Sequence, residues 1–220
     1  MPKFTPSARR ALTEERSAQI LDAAAKVFAA KGFERATISD VARSAGLAEG
    51  TIYNYFKNKN DLLVSLPHRI IEPTVESVSE QFSNSNPAEA FLPEQMLALA
   101  AQKLASTMRA NVYIFRALLT ALPSMKPAAR EKYAEQTVMY VGGVLESYFQ
   151  SQIERGVIRK DLTPHILARA FIGMFFPFFM LGDVFQIESE KIKDYDQLIA
   201  QVVPLFLNGI LVRPAERKNQ

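Results

Sequence analysis

The stretch TISDVARSAGLAEGTIYNYFKNKNDLL, residues 37–63, contains the pattern of two short helices joined by a tight turn. Thr37 can cap the first helix while Asp40, three residues later, reaches back to its amide, so that two otherwise unpaired donors are satisfied. Gly46 can adopt the positive φ at which such a helix ends. The spacing therefore predicts a helix that begins after Thr37 and stops at Gly46.

The second helix is predicted over residues 48–56. Ile52 and Phe56 are four residues apart and share one face, which would pack inward. The other face carries polar and hydroxyl-bearing side chains, namely Thr51, Tyr53, Asn54 and Tyr55. This combination predicts a helix-turn-helix whose second helix presents its polar face to DNA.

The same stretch, with the helix before it, resembles the DNA-binding domain of the TetR family of bacterial transcription regulators. The family pattern is a helix ending in Lys-Gly-Phe, then Thr-x-x-x-[Ile/Val]-Ala-x-x-Ala-Gly-[Val/Leu], then Gly-Thr-[Ile/Leu]-Tyr-x-[Tyr/His]-Phe and Lys-x-x-Leu. The matching residues are Lys31, Gly32, Phe33, Thr37, Val41, Ala42, Ala45, Gly46, Leu47, Gly50, Thr51, Ile52, Tyr53, Tyr55, Phe56, Lys59 and Leu62. Ala48 departs from the pattern, because Ser or Thr is common at this helix start and alanine cannot cap it.

The resemblance implies that the second helix enters the major groove of a pseudo-palindromic operator in double-stranded DNA. It also implies a homodimer that reads two half-sites roughly 34–36 Å apart. The DNA-binding residues that it implies are Thr37, Ser39, Glu49, Gly50, Thr51, Tyr53, Tyr55 and Lys59.

These residues would contribute in different ways. Thr37 would offer its amide and hydroxyl to a phosphate at the positive end of a helix dipole, and Lys59 would pair with a phosphate without reading sequence. The hydroxyls of Thr51 and of the two tyrosines can bond phosphates, although one tyrosine could instead support the core. Glu49 could accept from a cytosine amino group or could be a solvated first-turn carboxylate. Gly50 would let the backbone approach the DNA closely.

The charge distribution agrees with this prediction. Residues 1–65 hold ten Lys or Arg against seven Asp or Glu, whereas residues 66–220 hold sixteen of each, so the net charge of +3 lies in the first segment. Positive charge there suits a polyanion. The chain has no cysteine, which excludes disulfides, thiolate catalysis and cysteine-based zinc sites.

The N-terminus lacks the apolar core of a secretory signal, so we expect a cytoplasmic protein. The longest apolar run, residues 170–182, contains Pro177 and is shorter than the roughly 20 residues of a membrane span. We therefore expect a buried helix there and no membrane partner.

The rest of the chain is helical in pattern almost throughout, which predicts an all-α fold. The predicted order is a flexible basic arm, a three-helix helix-turn-helix DNA-binding domain, a larger helical effector-binding and dimerisation domain, and a C-terminal tail. Their predicted ranges are 1–13, 14–66, 67–212 and 213–220. The later helices are expected over 68–82, 94–108, 111–122, 127–155, 163–182 and 195–211. Pro67 and Pro73 fall where the family continues one long helix, so we expect that helix to be kinked or split.

Two late apolar helices are expected to form a four-helix interface between two subunits, as the resemblance implies. The predicted interface residues are Ile166, Ala170, Gly173, Met174, Pro177, Leu198, Val202, Phe206 and Gly209. Aromatic residues in the same region could line a cavity for an apolar or aromatic small molecule, or could simply be core. The predicted pocket residues are Met108, Tyr113, Phe115, Arg116, Met139, Tyr140, Phe171, Phe175, Phe178 and Phe179.

We find no reactive constellation. His68 and His165 are the two histidines, and neither has a motif partner that would suggest a triad or a metal site. We therefore predict a transcriptional regulator without enzymatic activity, metal or cofactor, most simply a repressor that a small-molecule effector releases from its operator. The alternatives are a ligand-independent DNA-binding protein or activator and, from another class, a helical carrier of lipids or small molecules.

Overall fold

The computed structural model of the protein describes residues 6–84 and 93–211. Within these ranges the chain forms ten α-helices and no β-strand, which confirms the predicted all-α class. The helices are α1 Pro6–Lys31, α2 Ile38–Ala45, α3 Glu49–Tyr53, α4 Lys59–Asn84, α5 Pro93–Ala110, α6 Val112–Ala121, α7 Pro127–Tyr133, α8 Tyr140–Glu154, α9 Pro164–Phe178 and α10 Tyr195–Ile210. Two π-helical segments, Ala134–Met139 and Phe179–Val184, extend α7 and α9.

The first of two compact units comprises the described residues up to Ile70 together with Tyr113–Gln136. Helices α1, α2, α3 and the first part of α4 surround its core, and α6 enters the same core through Ile114 and Leu118. The fully buried core residues are Ile20, Ala24, Val41, Ile52, Leu62, Leu63, Val64, Leu66 and Ile114. This unit is larger than the range 14–66, because a helix-turn-helix pattern does not reveal which later helix packs against it.

The second unit comprises Ile71–Val112 and the described residues from Thr137 onward. Its core lies around three aromatic rings on different helices, those of Phe149, Phe171 and Phe206. The ring centroid of Phe206 lies 5.8 Å from that of Phe149 and 5.2 Å from that of Phe171. Each such buried ring contributes about 1.5–3 kcal/mol through apolar burial, so this cluster holds α8, α9 and α10 together.

Helix α4 runs without interruption past Pro67 and Pro73, so of the two expected outcomes, a kink or a split, the split is wrong. An interior proline costs a helix about 3 kcal/mol. Four side chains just before Pro67 are fully buried, namely Leu62, Leu63, Val64 and Leu66, and each contributes about 1.5–3 kcal/mol. The free energy gained by burying the apolar face therefore exceeds the cost of the two prolines. The local sequence pattern does not show this burial, so it could not predict the unbroken helix.

Helix α1 begins at Pro6, so most of the range predicted as a flexible arm is helical. Proline is tolerated in a first turn because its missing N–H would have no intrahelical partner there. Residues 1–5 of the predicted arm and the predicted tail over 213–220 lie outside the described residues.

Helix α9 and its π-helical extension form a stretch, Pro164–Val184, that is long and apolar enough to cross a membrane by length and composition. In this fold 28% of its most apolar window is buried. The buried face packs through Leu167, Ala168 and Phe171 into the second core. The stretch is therefore buried along one face only. The sequence analysis expected a buried helix here, and that expectation is correct for this face but not for the exposed remainder.

Candidate nucleic-acid interface and ligand cavity

The N-terminus of α2 has the predicted reciprocal cap. The amide of Asp40 donates to Thr37 Oγ1 at 3.1 Å, and the amide of Thr37 donates to Asp40 Oδ2 at 3.2 Å. Lys31 Nζ lies 2.5 Å from Asp40 Oδ1, and this hydrogen bond, followed by that of Thr37, lowers the pKa of Asp40 to about 2. The Thr37 hydroxyl also donates to Asp40 Oδ2, at 2.9 Å. Both groups of Thr37 that were predicted to meet a phosphate therefore have acceptors within the protein, and this prediction is corrected.

The turn after α2 also has the predicted form. Gly46 has φ 67°, in the left-handed region that favours glycine. The amide of Leu47 donates to Ala42 O at 2.9 Å, which closes the end of the helix. This turn fixes where α3 begins.

Helix α3 is shorter than predicted. It ends at Tyr53, because the amides of Tyr55 and Phe56 both donate to Ile52 O, at 3.0 and 2.9 Å, and form a turn. Ile52 and Phe56 are buried, as their spacing predicts. Ala48 makes no side-chain cap at the start of α3, as expected for alanine.

The outward surface of α3 carries most of the side chains predicted to meet DNA. Glu49 and Gly50 are exposed, and 54% of Tyr53 is exposed to solvent. Thr51 is half-buried. Tyr55 packs against the first core, so it is the tyrosine that supports the domain, and Tyr53 is the one that is free to reach a groove.

Lys59 does not occupy the place of a phosphate ligand. Its ammonium donates to the main-chain oxygens of Phe33, Glu34 and Ala36 at 2.8, 3.1 and 3.1 Å. It also lies 4.4 Å from the centroid of the Phe33 ring. Three donors satisfied within the protein leave none for DNA, so the predicted phosphate contact is wrong. Lys59 instead ties the start of α4 to the loop after α1.

The sequence prediction overlooked two exposed cations of the same unit. The Arg43 side chain, on α2, is 78% exposed, and Lys57 is exposed in the turn before α4. Ser39, which was predicted among the DNA-binding residues, is half-buried. The signal that could have found Lys57 was its place directly after the buried Phe56, where the chain must return to the surface.

An apolar cavity of about 90 Å³ lies within the second unit, between α4, α5, α8 and α9. Four of the predicted pocket residues line it, namely Met108, Phe171, Phe175 and Phe179. Helix α8 contributes Val141, Val144 and Leu145, which the sequence prediction did not include.

The other predicted pocket residues lie elsewhere. Tyr113, Phe115 and Arg116 belong to the first unit, where Tyr113 packs against the core. Met139 and Tyr140 line a separate, more polar cleft that also includes Ser147 and Arg155. Phe178 lines neither the cavity nor this cleft. Helical spacing identifies the apolar face of a helix but not the helix that it faces, which explains these errors.

One end of the cavity carries polar groups. Thr74 Oγ1 and Thr107 Oγ1 lie 2.8 Å apart, and Thr74 lines the cavity. Tyr195, also in the lining, donates its O–H to Asp183 Oδ2 at 2.5 Å, and Arg109 Nε donates to Asp183 Oδ1 at 3.3 Å. The Arg109 guanidinium lies 4.5 Å from the centroid of the Tyr195 ring. Burial raises the pKa of Tyr195, and its hydrogen bond to Asp183 raises it further.

The predicted dimer-interface residues of α9 lie mostly at the surface. Ile166 is 63% exposed, and Ala170, Gly173 and Pro177 are also exposed. Met174 is half-buried. An exposed apolar face of this kind on a long helix suits contact with another protein surface.

On α10 the prediction was partly wrong. Val202 and Phe206 are buried within their own subunit, 8% and 7% exposed, so neither is available to a partner. Leu205, which was not predicted, is 67% exposed. Leu198 is half-buried and Gly209 is exposed, and both stay candidates. When a helix is apolar on several faces, its sequence does not show which face packs against its own subunit, and this explains the error.

The histidines do not build a site. His165 Nδ1 lies 2.8 Å from Glu146 Oε1 at the surface, and His68 is half-buried in α4. Among the residues that the structure describes, no three His, Asp or Glu side chains are grouped as metal ligands would be.

Residues 20–66 match the family model of bacterial regulatory proteins, tetR family. The fatty acid metabolism regulator protein of Bacillus subtilis (strain 168) is 29% identical over 155 residues, which cover 70% of this chain and 77% of that protein.

Solved structures are similar over most of their length. The transcriptional regulator FadR from Bacillus subtilis in complex with stearoyl-CoA is 26% identical, with a TM-score of 0.65 over 87% of this chain and 98% of that one. A TetR-family transcriptional regulator from Mesorhizobium loti is 19% identical, with a TM-score of 0.73 over 91% and 98% of the two chains. The second likeness shows the shared fold.

The family match covers the residues that form the cap of α2, its glycine turn and the outward surface of α3. The protein is therefore a DNA-binding transcription regulator and not an enzyme. More specifically, its residues 20–66 match the TetR family of bacterial regulatory proteins, the family that the sequence resembles.

Proposed function

We propose that this regulator is a cytoplasmic homodimeric repressor that leaves its operator when a long-chain fatty acyl thioester, such as an acyl-CoA, binds in the second unit. The observation that carries the proposal is the apolar cavity between α4, α5, α8 and α9, which is lined almost entirely by hydrocarbon and aromatic side chains. A related regulator of fatty acid metabolism and a related structure holding stearoyl-CoA support the same ligand class.

The DNA-binding part of the proposal rests on α3 and the residues around it. Tyr53, Glu49 and Gly50 present an exposed surface that a major groove can accept. Arg43 and Lys57 add exposed positive charge that would pair with phosphates and release counterions. Affinity therefore comes largely from the cations, whereas sequence preference comes from α3.

Dimerisation would use the exposed faces of α9 and α10. Ile166, Gly173 and Leu205 form apolar or small surface positions that a second copy could cover by a two-fold axis. Two copies of α3 would then address a pseudo-palindromic operator whose half-sites lie roughly 34–36 Å apart. A monomer has a single copy of α3 and would bind much more weakly.

The size of the cavity bears on how a ligand acts. Ligand pockets usually measure about 300–1,000 Å³, whereas this cavity measures about 90 Å³. A long acyl chain can enter only if lining side chains such as Met108, Phe175 and Phe176 move apart. Binding would therefore favour a different packing of the second unit, and this differential affinity for two states is what ligand-driven release requires.

The test is operator release. DNA fragments bound by the purified protein are selected from genomic DNA, and a gel-shift assay then measures complex formation as palmitoyl-CoA is added. We expect the complex to disappear at micromolar palmitoyl-CoA and to persist with CoA alone. A complex that persists with acyl-CoA of every chain length would contradict the proposed effector and favour a ligand-independent DNA-binding protein.

A cavity-filling variant sharpens this test. Ala101 lines the cavity and is 7% exposed, so Ala101→Phe would occupy the space that an acyl chain needs. We expect this variant to bind the selected DNA normally and to resist release by palmitoyl-CoA. Ala128→Phe, at an exposed position of α7 in the first unit, serves as a control for added bulk outside the cavity and outside the proposed dimer face.

A further inference from the structure

The cavity has a closed end in the aromatic core. Phe171 lines the cavity and also packs against Phe149 and Phe206, with centroid distances of 6.4 and 5.2 Å. All three rings are buried. This end can accept only hydrocarbon, so the terminal methyl of an acyl chain belongs here.

The opposite end is marked by the pairing of α4 with α5. Thr74 meets Thr107 at 2.8 Å, and Ser77 meets Lys103 at 2.6 Å, so the two helices run antiparallel. Thr74 and Met108 therefore lie at one end of the lining. Arg109 follows Met108, and its side chain is 40% exposed, so this end reaches solvent. The head of an acyl ligand would lie here, beside Tyr195.

At this end the negative charge of Asp183 and the positive charge of Arg109 compensate each other. Asp183 accepts hydrogen bonds from Tyr195 and from Arg109, and its side chain is 13% exposed. The carboxylate of Asp183 thus compensates the charge of Arg109. An uncharged carbonyl can accept a hydrogen bond from a guanidinium in this state, but a second carboxylate placed here would meet the repulsion of Asp183, whose side chain is only 13% exposed.

We infer that Asp183 is a specificity-determining residue that rejects free fatty acids and admits acyl esters and thioesters, whose head at this position is uncharged. The inference rests on the proposed function and deepens it, because it assigns the choice of head group to one side chain. Asp183 does not itself line the cavity; its carboxylate is held behind the lining residue Tyr195 by the hydrogen bonds from Tyr195 and Arg109.

The test compares three ligands that share one tail. Isothermal titration calorimetry below the critical micelle concentration measures the binding of laurate, methyl laurate and lauroyl-CoA to the full-length protein. We expect the wild-type protein to bind methyl laurate and lauroyl-CoA at least tenfold more tightly than laurate. Asp183→Asn, which keeps the size of the side chain and removes its charge, should lower this preference at least fivefold by gaining affinity for laurate.

Two further variants make the result specific. Asp161→Asn removes a carboxylate that also pairs with an arginine, Arg159, but lies outside the cavity, and it should leave the preference unchanged. Arg109→Gln leaves the charge of Asp183 uncompensated and should increase the preference. A merely structural role of Asp183 would lower affinity for all three ligands and could not raise affinity for laurate.

The outcomes separate the two proposals. If the wild-type protein binds laurate as tightly as methyl laurate, or if the folded Asp183→Asn protein keeps the wild-type preference, the role given to Asp183 is wrong while the proposed function stands. If none of the three ligands binds, the role given to Asp183 is contradicted, and if palmitoyl-CoA also fails to release the operator, the proposed effector class is contradicted with it. Circular dichroism confirms that each variant is folded, and the Arg109→Gln result decides the question if Asp183→Asn is not.

Discussion

The ammonium of Lys59 lies 2.8 Å from the main-chain oxygen of Phe33 and 4.4 Å from the centroid of the Phe33 ring. One side chain thus joins the start of α4 to the loop between α1 and α2 by both a charge-assisted hydrogen bond and a cation–π contact. In a linear sequence the same lysine resembles a phosphate ligand. Its contacts in the folded protein instead stabilise the DNA-binding unit.

Replacing Lys59 by Met should therefore lower stability. The change removes hydrogen bonds from a charged donor to three main-chain oxygens, for which a loss of about 1–3 kcal/mol is typical. Urea unfolding followed by circular dichroism measures this loss. Lys57→Met is the matched control: we expect stability within about 0.5 kcal/mol of the wild-type value, together with weaker DNA binding and a salt dependence reduced by about one counterion. Equal effects of the two changes on stability would contradict this assignment.

The two tyrosines of the helix-turn-helix should differ when each is changed to alanine. Tyr53→Ala removes an exposed side chain from α3 and should weaken operator binding by roughly 1–3 kcal/mol without changing the melting temperature. Tyr55→Ala should lower the melting temperature as well, because Tyr55 packs against the core. Gel shifts and thermal melts on the same samples test this. A Tyr55→Ala protein with unaltered melting would show that its packing contributes little.

Asp40 makes the free energy of unfolding of the DNA-binding unit depend on pH. Its pKa is lowered from 3.8 to about 2, chiefly by Lys31, so the folded protein binds this proton more weakly than the unfolded chain does. The stabilisation is therefore fully present above about pH 4 and is lost as the pH falls through about 2. Unfolding free energies measured between pH 5 and pH 2 should fall less steeply for Asp40→Asn than for the wild-type protein. Parallel curves would refute this account.

Gly182 should tolerate no side chain. A Cβ atom there would lie 2.8 Å from Glu190 O, closer than atoms pack, and the obstacle is backbone. Gly182→Ala should cost about 1–3 kcal/mol, as overpacking does, and should disturb the neighbouring Asp183. Gly143→Ala is the control, because a Cβ at Gly143 has no neighbour within 4 Å and Gly143 lies outside the proposed dimer face. If chemical denaturation gives the same stability for both variants, the close approach at Gly182 is not a constraint.

The exposed face of α10 can be tested through the mass of the assembly. Leu205 is 67% exposed, so Leu205→Glu should leave the subunit folded and convert a dimer into monomers, with loss of operator binding. Light scattering after size-exclusion chromatography measures the mass. Ile187→Glu changes another exposed apolar residue, 41% exposed in the loop between α9 and α10, and should preserve the dimer. A Leu205→Glu protein that stays dimeric would place the interface on another face.

Local chemistry explains which sequence predictions were right. The cap of Thr37 with Asp40, the left-handed Gly46 and the inward pair Ile52 and Phe56 all depend on contacts within a few residues, and each has the predicted geometry. Such features can be read from spacing because the same residues form them in any helix pair.

Tertiary packing explains the rest. The chemistry of Lys59 suits either a phosphate or a main-chain oxygen, and only the folded loop at Phe33 decides between them. Likewise Phe206 has the same apolar character whether it faces a partner subunit or its own core. The cluster of Arg109 with Asp183 joins residues that are 74 positions apart in sequence, so no local pattern reveals it.

The two prolines of α4 have a kinetic consequence. Pro67 and Pro73 bring no amide hydrogen to the helix, and they flank the point at Ile70 where the chain leaves one compact unit for the other. A helix that lacks two main-chain donors so close together is the stretch where transient opening costs least. Deuterium uptake by the amides between these prolines should accordingly be faster than uptake near Leu63, although both lie in one unbroken helix.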